Sequence, residues 1–189
     1  MKWYALFVET GKEDIVRSAI QQQFDSSIVM PIVPKRRLRE KRDGVFYEIN
    51  RILFPGYVFI KAKMSIDTYY GLKKIPRCYK LLNKYKFDEQ PTGKNEETNS
   101  SSTSLFSQID EEEMTLITQL MDHDEIINYS VLYVENARSQ VRSGPLKGRE
   151  GMIKKIDKRK KRARIVLELM GKSIEVDVGV EVLSPPEVH

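Results

Sequence analysis

Apolar positions along this chain fall into short runs with two distinct periods. Residues 3–8 are continuously apolar strand formers, the pattern of a strand buried on both faces. Over 12–24 the spacing changes: Ile15, Val16, Ala19 and Ile20 share one helical stripe, with Phe24 four residues further on. Residues 28–38 read as a strand rich in Ile and Val, which Pro31 and Pro34 confine to an edge or a bulged path. Asp43-Gly44 is a hairpin signal, returning through 45–49, and Pro55-Gly56 is a turn just before a strand at 57–63. Ser65 is placed to cap a short helix carrying Ile66, Tyr69 and Leu72, ended by Pro76, with a further strand at 79–82.

The stretch 88–104 has neither aromatic nor aliphatic side chains and is expected to be a flexible insertion, because it has too little apolar surface to offset its ordering entropy. A helix over 110–122 follows, with Asp110 and Glu113 spaced as a capping box and Met114, Ile117, Leu120 and Met121 on one face. Beyond residue 141 short strands alternate with glycine-containing turns, at 141–143, 151–156, 164–170, 173–178 and 180–183. That spacing predicts a small β-barrel. The fold class is therefore α+β, with an N-terminal domain at 1–124, a linker at 125–137 and a barrel domain at 138–189. The linker contains Ile126, Ile127 and residues 131–134, so it is expected to pack against something.

Composition narrows the function. The 189 residues carry one cysteine, Cys78, so no internal disulfide is available and a cytoplasmic location is the expectation. No apolar run approaches the ~20 residues of a membrane span, and the first residues lack the layout of a signal peptide. His123 and His189 have no Cys or His at ligand spacing, there is no phosphate-binding glycine loop, and Glu111–Glu113 read as a helix start; no metal, cofactor or catalytic activity is expected. The net charge of +5 conceals a polarisation. Residues 88–135 hold twelve acids and one base, a balance of −11, which leaves +16 for the rest. Two runs concentrate the positive charge: Lys35, Arg36, Arg37, Arg39, Lys41 and Arg42 in the first, and Lys158, Arg159, Lys160, Lys161, Arg162 and Arg164 in the second. Such runs attract polyanions through counterion release, although a solvated hairpin face has the same composition.

Two motifs carry a family resemblance. Residues 2–8, Gly11 and the following helix, then Leu53-Phe54-Pro55-Gly56-Tyr57-Val58-Phe59-Ile60, resemble the N-terminal (NGN) domain of NusG-type transcription elongation factors. The barrel segment with Gly144, Pro145, Gly148 and Gly151 is similar to the KOW motif of the same family. Residues 7–13 and the basic hairpin are most similar to a specialised branch, the LoaP-like processive antiterminators.

The resemblance implies a monomeric factor whose NGN domain grips the clamp helices of the largest RNA polymerase subunit. The matching residues are Trp3, Phe54, Pro55, Tyr57 and Phe59, with a weaker second contact at Thr68, Tyr69 and Tyr70. Tyr57 and Phe59 alternate with Val58 and Ile60, leaving both strand faces apolar, so one needs a partner or an internal helix over it. By the same resemblance the hairpin run at 35–42, together with Lys73, Lys74, Arg77 and Lys80, faces nucleic acid: an RNA hairpin in a leader transcript, with upstream DNA as a further ligand. The KOW domain would recruit a ribosomal protein or another factor such as Rho, and the run at 158–164 would add nonspecific RNA contacts. The general housekeeping elongation factor and a ribosome-associated KOW protein are the competing readings.

Overall fold

The computed structural model describes residues 1–82, 106–135 and 138–183; the insertion expected at 88–104 lies outside them. Two compact units emerge, neither continuous in sequence. The first comprises residues 1–33 and 55–111, and the second comprises 34–54 and 112–189.

The first unit is built on a four-stranded antiparallel sheet ordered β2-β5-β1-β6, from β1 (Lys2–Val8), β2 (Val29–Ile32), β5 (Tyr57–Ala62) and β6 (Cys78–Leu81). Pro31 sits on the edge strand β2, where its missing N–H costs no ladder bond. The strand expected over 28–38 is broken at Pro34, and its second half joins the other unit. Register sets the two faces of the sheet. Tyr4 and Leu6 share one with Val58 and Ile60, all essentially without solvent exposure. Helix α1 (Glu13–Gln23) lies against β2 and β5 and buries Val16 and Ile20. Helix α2 (Ile66–Lys73) starts as expected, with the Ser65 hydroxyl accepting the Thr68 N–H at 3.1 Å.

One buried charge orders this unit. The Glu13 carboxylate, fully buried at the start of α1, accepts the Gly56 N–H at 2.7 Å through Oε1. Val8 donates its own N–H to the Gly56 carbonyl at 2.8 Å. The Pro55-Gly56 turn is thus held from both sides, with Gly56 at φ +84° and Thr10 Oγ1 3.2 Å from where a Cβ would stand.

In the second unit, β3 (Lys35–Arg42) and β4 (Val45–Ile52) form a hairpin whose turn residues, Asp43 and Gly44, both have positive φ, as a two-residue I′ turn requires. The sequence placed the basic run at a hairpin tip; it is instead a whole strand, and only Lys41 and Arg42 border the turn. The expected linker is also largely strand. Ile126–Ile127, as β7, pairs in parallel with Lys35 and Arg36, and Ser130–Glu135, as β8, pairs in parallel with the end of β12. The five-stranded barrel sheet runs β10-β11-β12-β8-β9, with β9 at Arg138–Ser143, β10 at Ile153–Asp157 and β11 at Arg162–Leu169. The two strands expected over 173–183 are one twelve-residue strand, β12 (Lys172–Leu183). Ala163, Ile165, Leu167 and Leu169 alternate inward along β11.

Helix α3 (Glu111–Leu120) buries Met114, Ile117 and Leu120. Its Glu113 does not complete the expected capping box. The carboxylate instead accepts the N–H groups of Met170 at 2.7 Å and Gly171 at 3.0 Å, closing over the positive-φ turn between β11 and β12.

Two of the three KOW glycines have a steric reason. Gly144 has φ +95°, and a Cβ there would stand 2.5 Å from the Tyr129 carbonyl oxygen; Gly148 has φ +75° in open space; Gly151 has neither constraint. Gly144→Ala is expected to destabilise the chain by about 1–3 kcal/mol through a disfavoured backbone conformation and a backbone clash. Gly151→Ala is expected to be nearly neutral. Urea unfolding of the two variants side by side checks the contrast.

Candidate nucleic-acid interface

The two basic runs converge in the second unit. β12 approaches the edge of β3 beyond its short pairing with β7, and Gly179 lies at this approach. A Cβ on Gly179 would run into the Arg37 carbonyl oxygen and the Tyr129 ring. Side chains alternate across β3, so arginines reach the barrel from both faces of the hairpin. Arg36 donates through Nη1 to the Asp177 carbonyl. Arg39 lies over the Tyr129 ring at 4.8 Å and contacts Glu48 at 3.4 Å and Glu181 at 3.8 Å.

These contacts sort the cations. Burial pushes the Arg36 guanidinium below its ordinary pKa; Asp177 opposes the shift, and nearby Arg162 and Arg51 reinforce it. Glu40 gathers Arg51 at 3.1 Å, Arg42 at 3.7 Å and Arg162 at 3.8 Å. Its carboxyl is held below the ordinary value chiefly by the hydrogen bond from Arg51. Arg164 is bound to Asp177 at 3.0 Å and Glu175 at 3.9 Å, and Arg37 bonds Asn50 at 3.5 Å. The Lys35 N–H donates to the Glu125 carbonyl at 2.8 Å. Arg36, Arg39 and Arg162 thus hold the hairpin and barrel together, while Arg37, Arg42 and Arg164 are tied within their own sheets.

The lysines are arranged differently. Lys158, Arg159 and Lys160 are exposed on the β10–β11 turn, where the Asp157 carboxylate accepts the Lys160 N–H at 2.8 Å. Lys161, at φ +53°, brings Nζ to 5.1 Å from the Phe46 ring centre, and Lys41 brings its own to 5.9 Å. Among the described residues, none of Lys41, Lys158, Arg159, Lys160 and Lys161 forms an ion pair. Lys41 and Lys161, from two runs far apart in sequence, meet at the Phe46 ring.

In the first unit Lys73, Lys74 and Lys80 are exposed, with Lys73 Nζ 5.6 Å from the Tyr69 ring. Arg77, at φ +67°, is committed to Glu9 at 2.7 Å. Of the expected polymerase-facing residues, Phe59 has no exposed surface, Trp3 and Phe54 keep 6%, and Thr68 is buried with its hydroxyl 2.9 Å from that of Ser65. Tyr57 and Tyr69 are half-buried, and Tyr70 and Pro55 are exposed. Phe7, Tyr57 and Tyr79 form a ring cluster with centroids 5.6–5.8 Å apart. Cys78 is half-buried, and burial pushes its thiol up to about 11, so it is not a reactive thiolate.

A family model described as transcription termination factor NusG matches residues 1–99, more than half the chain, and a KOW-motif model matches residues 140–168. The chain belongs to the NusG family. It is similar to the transcription termination/antitermination protein NusG of Staphylococcus carnosus, at 19% identity over 94% of this chain and 91% of that one. A second relative of the same description, from Buchnera aphidicola, is 22% identical over 94% of this chain and 92% of the relative. A solved structure titled "Domain interaction in Thermotoga maritima NusG" has a similar fold, with a TM-score of 0.52 at 19% identity over 94% of this chain and 93% of that one.

Several residues central to the site escape sequence reasoning. Glu40 and Glu48 interrupt basic or polar runs without any sign of which arginines they hold, and Gly179, expected as a turn between two strands, lies inside one strand. Phe46 follows a hairpin turn, where an exposed aromatic ring is a detectable cue. Because the Glu40 carboxyl is depressed, its contribution is present above pH 4.5 and is lost as pH falls through the folded-state value. Acidification is therefore expected to loosen the hairpin, and Glu40→Gln to reduce that acid dependence; amide exchange over 35–42 measured against pH checks both. Gly179→Ala is expected to raise the same exchange near neutrality and to cost about 1–3 kcal/mol by overpacking.

Proposed function

We propose that this NusG-family chain is a specialised antitermination factor. It binds the clamp helices of RNA polymerase through its N-terminal unit, engages an RNA hairpin of a leader transcript through basic residues, and promotes readthrough of terminators in particular operons. The carrying observation is that Lys41 and Lys161 meet at Phe46, and that these two and Lys158–Lys160 form no ion pair among the described residues. Uncompensated lysines at two adjoining turns supply the phosphate contacts that position a protein on nucleic acid. Lys73, Lys74 and Lys80 are the corresponding cations of the first unit. Upstream DNA is a further ligand of the same chemistry, and a ribosomal protein or another factor is the partner of the KOW strands.

For polymerase the supporting feature is the Phe7, Tyr57 and Tyr79 cluster, because partly exposed aromatics are typical interface anchors. Trp3 and Phe59 lie on the same sheet face as Phe7 and Tyr57 but are buried. Transcription in vitro across an intrinsic terminator, with and without a cognate leader, tests the proposal. Readthrough is expected to require the leader and to fall about tenfold or more on Tyr57→Ala, the scale of losing an interface anchor. Readthrough indifferent to the leader identifies a general elongation factor instead. Failure to copurify with polymerase favours the ribosome-associated reading.

A further inference from the structure

We infer that Phe46 is a stacking platform for an unpaired RNA base, on a single-strand-binding face built jointly by the β3–β4 hairpin and the β10–β11 turn. The inference rests on the RNA-binding reading above and specifies what that surface recognises. Phe46 is 43% exposed at the hairpin tip, directly across from Lys41 in the strand register. The Nζ atoms of Lys41 and Lys161 stand 5.9 Å and 5.1 Å from its ring centre, one supplied by each of the two turns. Both ammonium groups lie over the ring on flexible stems, so a base that takes the ring face displaces them toward the phosphates that flank it in a single strand. A-form duplex offers no such base, since its bases are stacked and its deep groove excludes side chains.

The neighbouring tyrosine supplies the contrast. Tyr47 is 50% exposed but projects from the opposite face, across from Glu40. The cations on that face, Arg42, Arg51 and Arg162, converge on the Glu40 carboxylate. Charge available to a phosphate therefore lies on the Phe46 side, and exposure alone does not distinguish the two rings.

Fluorescence anisotropy of the full chain with a labelled twelve-nucleotide oligouridylate and a blunt RNA duplex of equal length, across a KCl series, tests the inference. Phe46→Ala is expected to weaken oligouridylate binding by about 5- to 150-fold at fixed salt, the range for losing one base–aromatic stack. The salt slope should stay unchanged, and Phe46→Tyr should restore affinity. Tyr47→Ala is expected to stay within about twofold of the parent, well below the loss of a stack. Lys41→Ser with Lys161→Ser should flatten the salt slope. If both RNAs bind but Phe46→Ala changes neither, or if Tyr47→Ala is equally damaging, the stacking inference is overturned while phosphate contact stands. If the parent chain binds neither RNA, the stacking inference is overturned, while leader-dependent readthrough separately decides the RNA-hairpin reading.

Discussion

At Gly179 the long barrel strand β12 passes so close to β3 that no side chain fits between them. The organisation of the second unit depends on that approach. It lets Arg36 reach the Asp177 carbonyl and Arg39 reach Tyr129 and Glu181, from opposite faces of the same strand. It also places Glu40 within reach of Arg162. Strand β3 alone holds six cations in eight residues against one carboxylate, Glu40. Docked on β12, its arginines find carbonyls, carboxylates and an aromatic ring, so the self-repulsion of the run is largely neutralised.

The same docking divides labour between two kinds of cation. Arginine, with its planar fork of donors, takes the partly buried positions where several acceptors must be met at once. Lysine, a hydrated point charge on a flexible stem, remains exposed at Lys41, Lys158 and Lys160, with Arg159 among them and Lys161 half-buried. Structure is thus held mainly by guanidinium groups, while freely offered charge is mainly ammonium. In the first unit the corresponding constraint is the Glu13 carboxylate on the Gly56 N–H, which fixes the entry into β5 and so the position of Tyr57 beside Phe7. A buried carboxylate with one oxygen satisfied and Oε2 unpartnered is costly, and such a group is held in place only by surrounding packing.

Local signals carried much of the fold. The helices at Glu13–Gln23, Ile66–Lys73 and Glu111–Leu120, and the strands at Lys2–Val8 and Tyr57–Ala62, follow from periodicity, capping and turn residues that act within a few positions. The errors share one cause. The break at Pro34, the pairing of Ile126–Ile127 with β3, the single strand at Lys172–Leu183 and the use of Glu113 on the Met170-Gly171 turn all depend on partners distant in sequence. The burial of Phe59, Trp3 and Phe54 belongs with them, since an alternating apolar strand does not say what covers its second face.

The sequence by itself determined the α+β class, the motifs that mark the NusG family, and the existence of two dense basic runs separated by an acidic middle. These are properties of composition and short-range order. The tertiary structure decided which of those charges are spent on the fold and which stay open, and brought Lys41 and Lys161 over one phenylalanine ring. The physical reason is that a charge's role depends on the acceptors within a few ångströms of it, and a linear sequence does not record what lies that near.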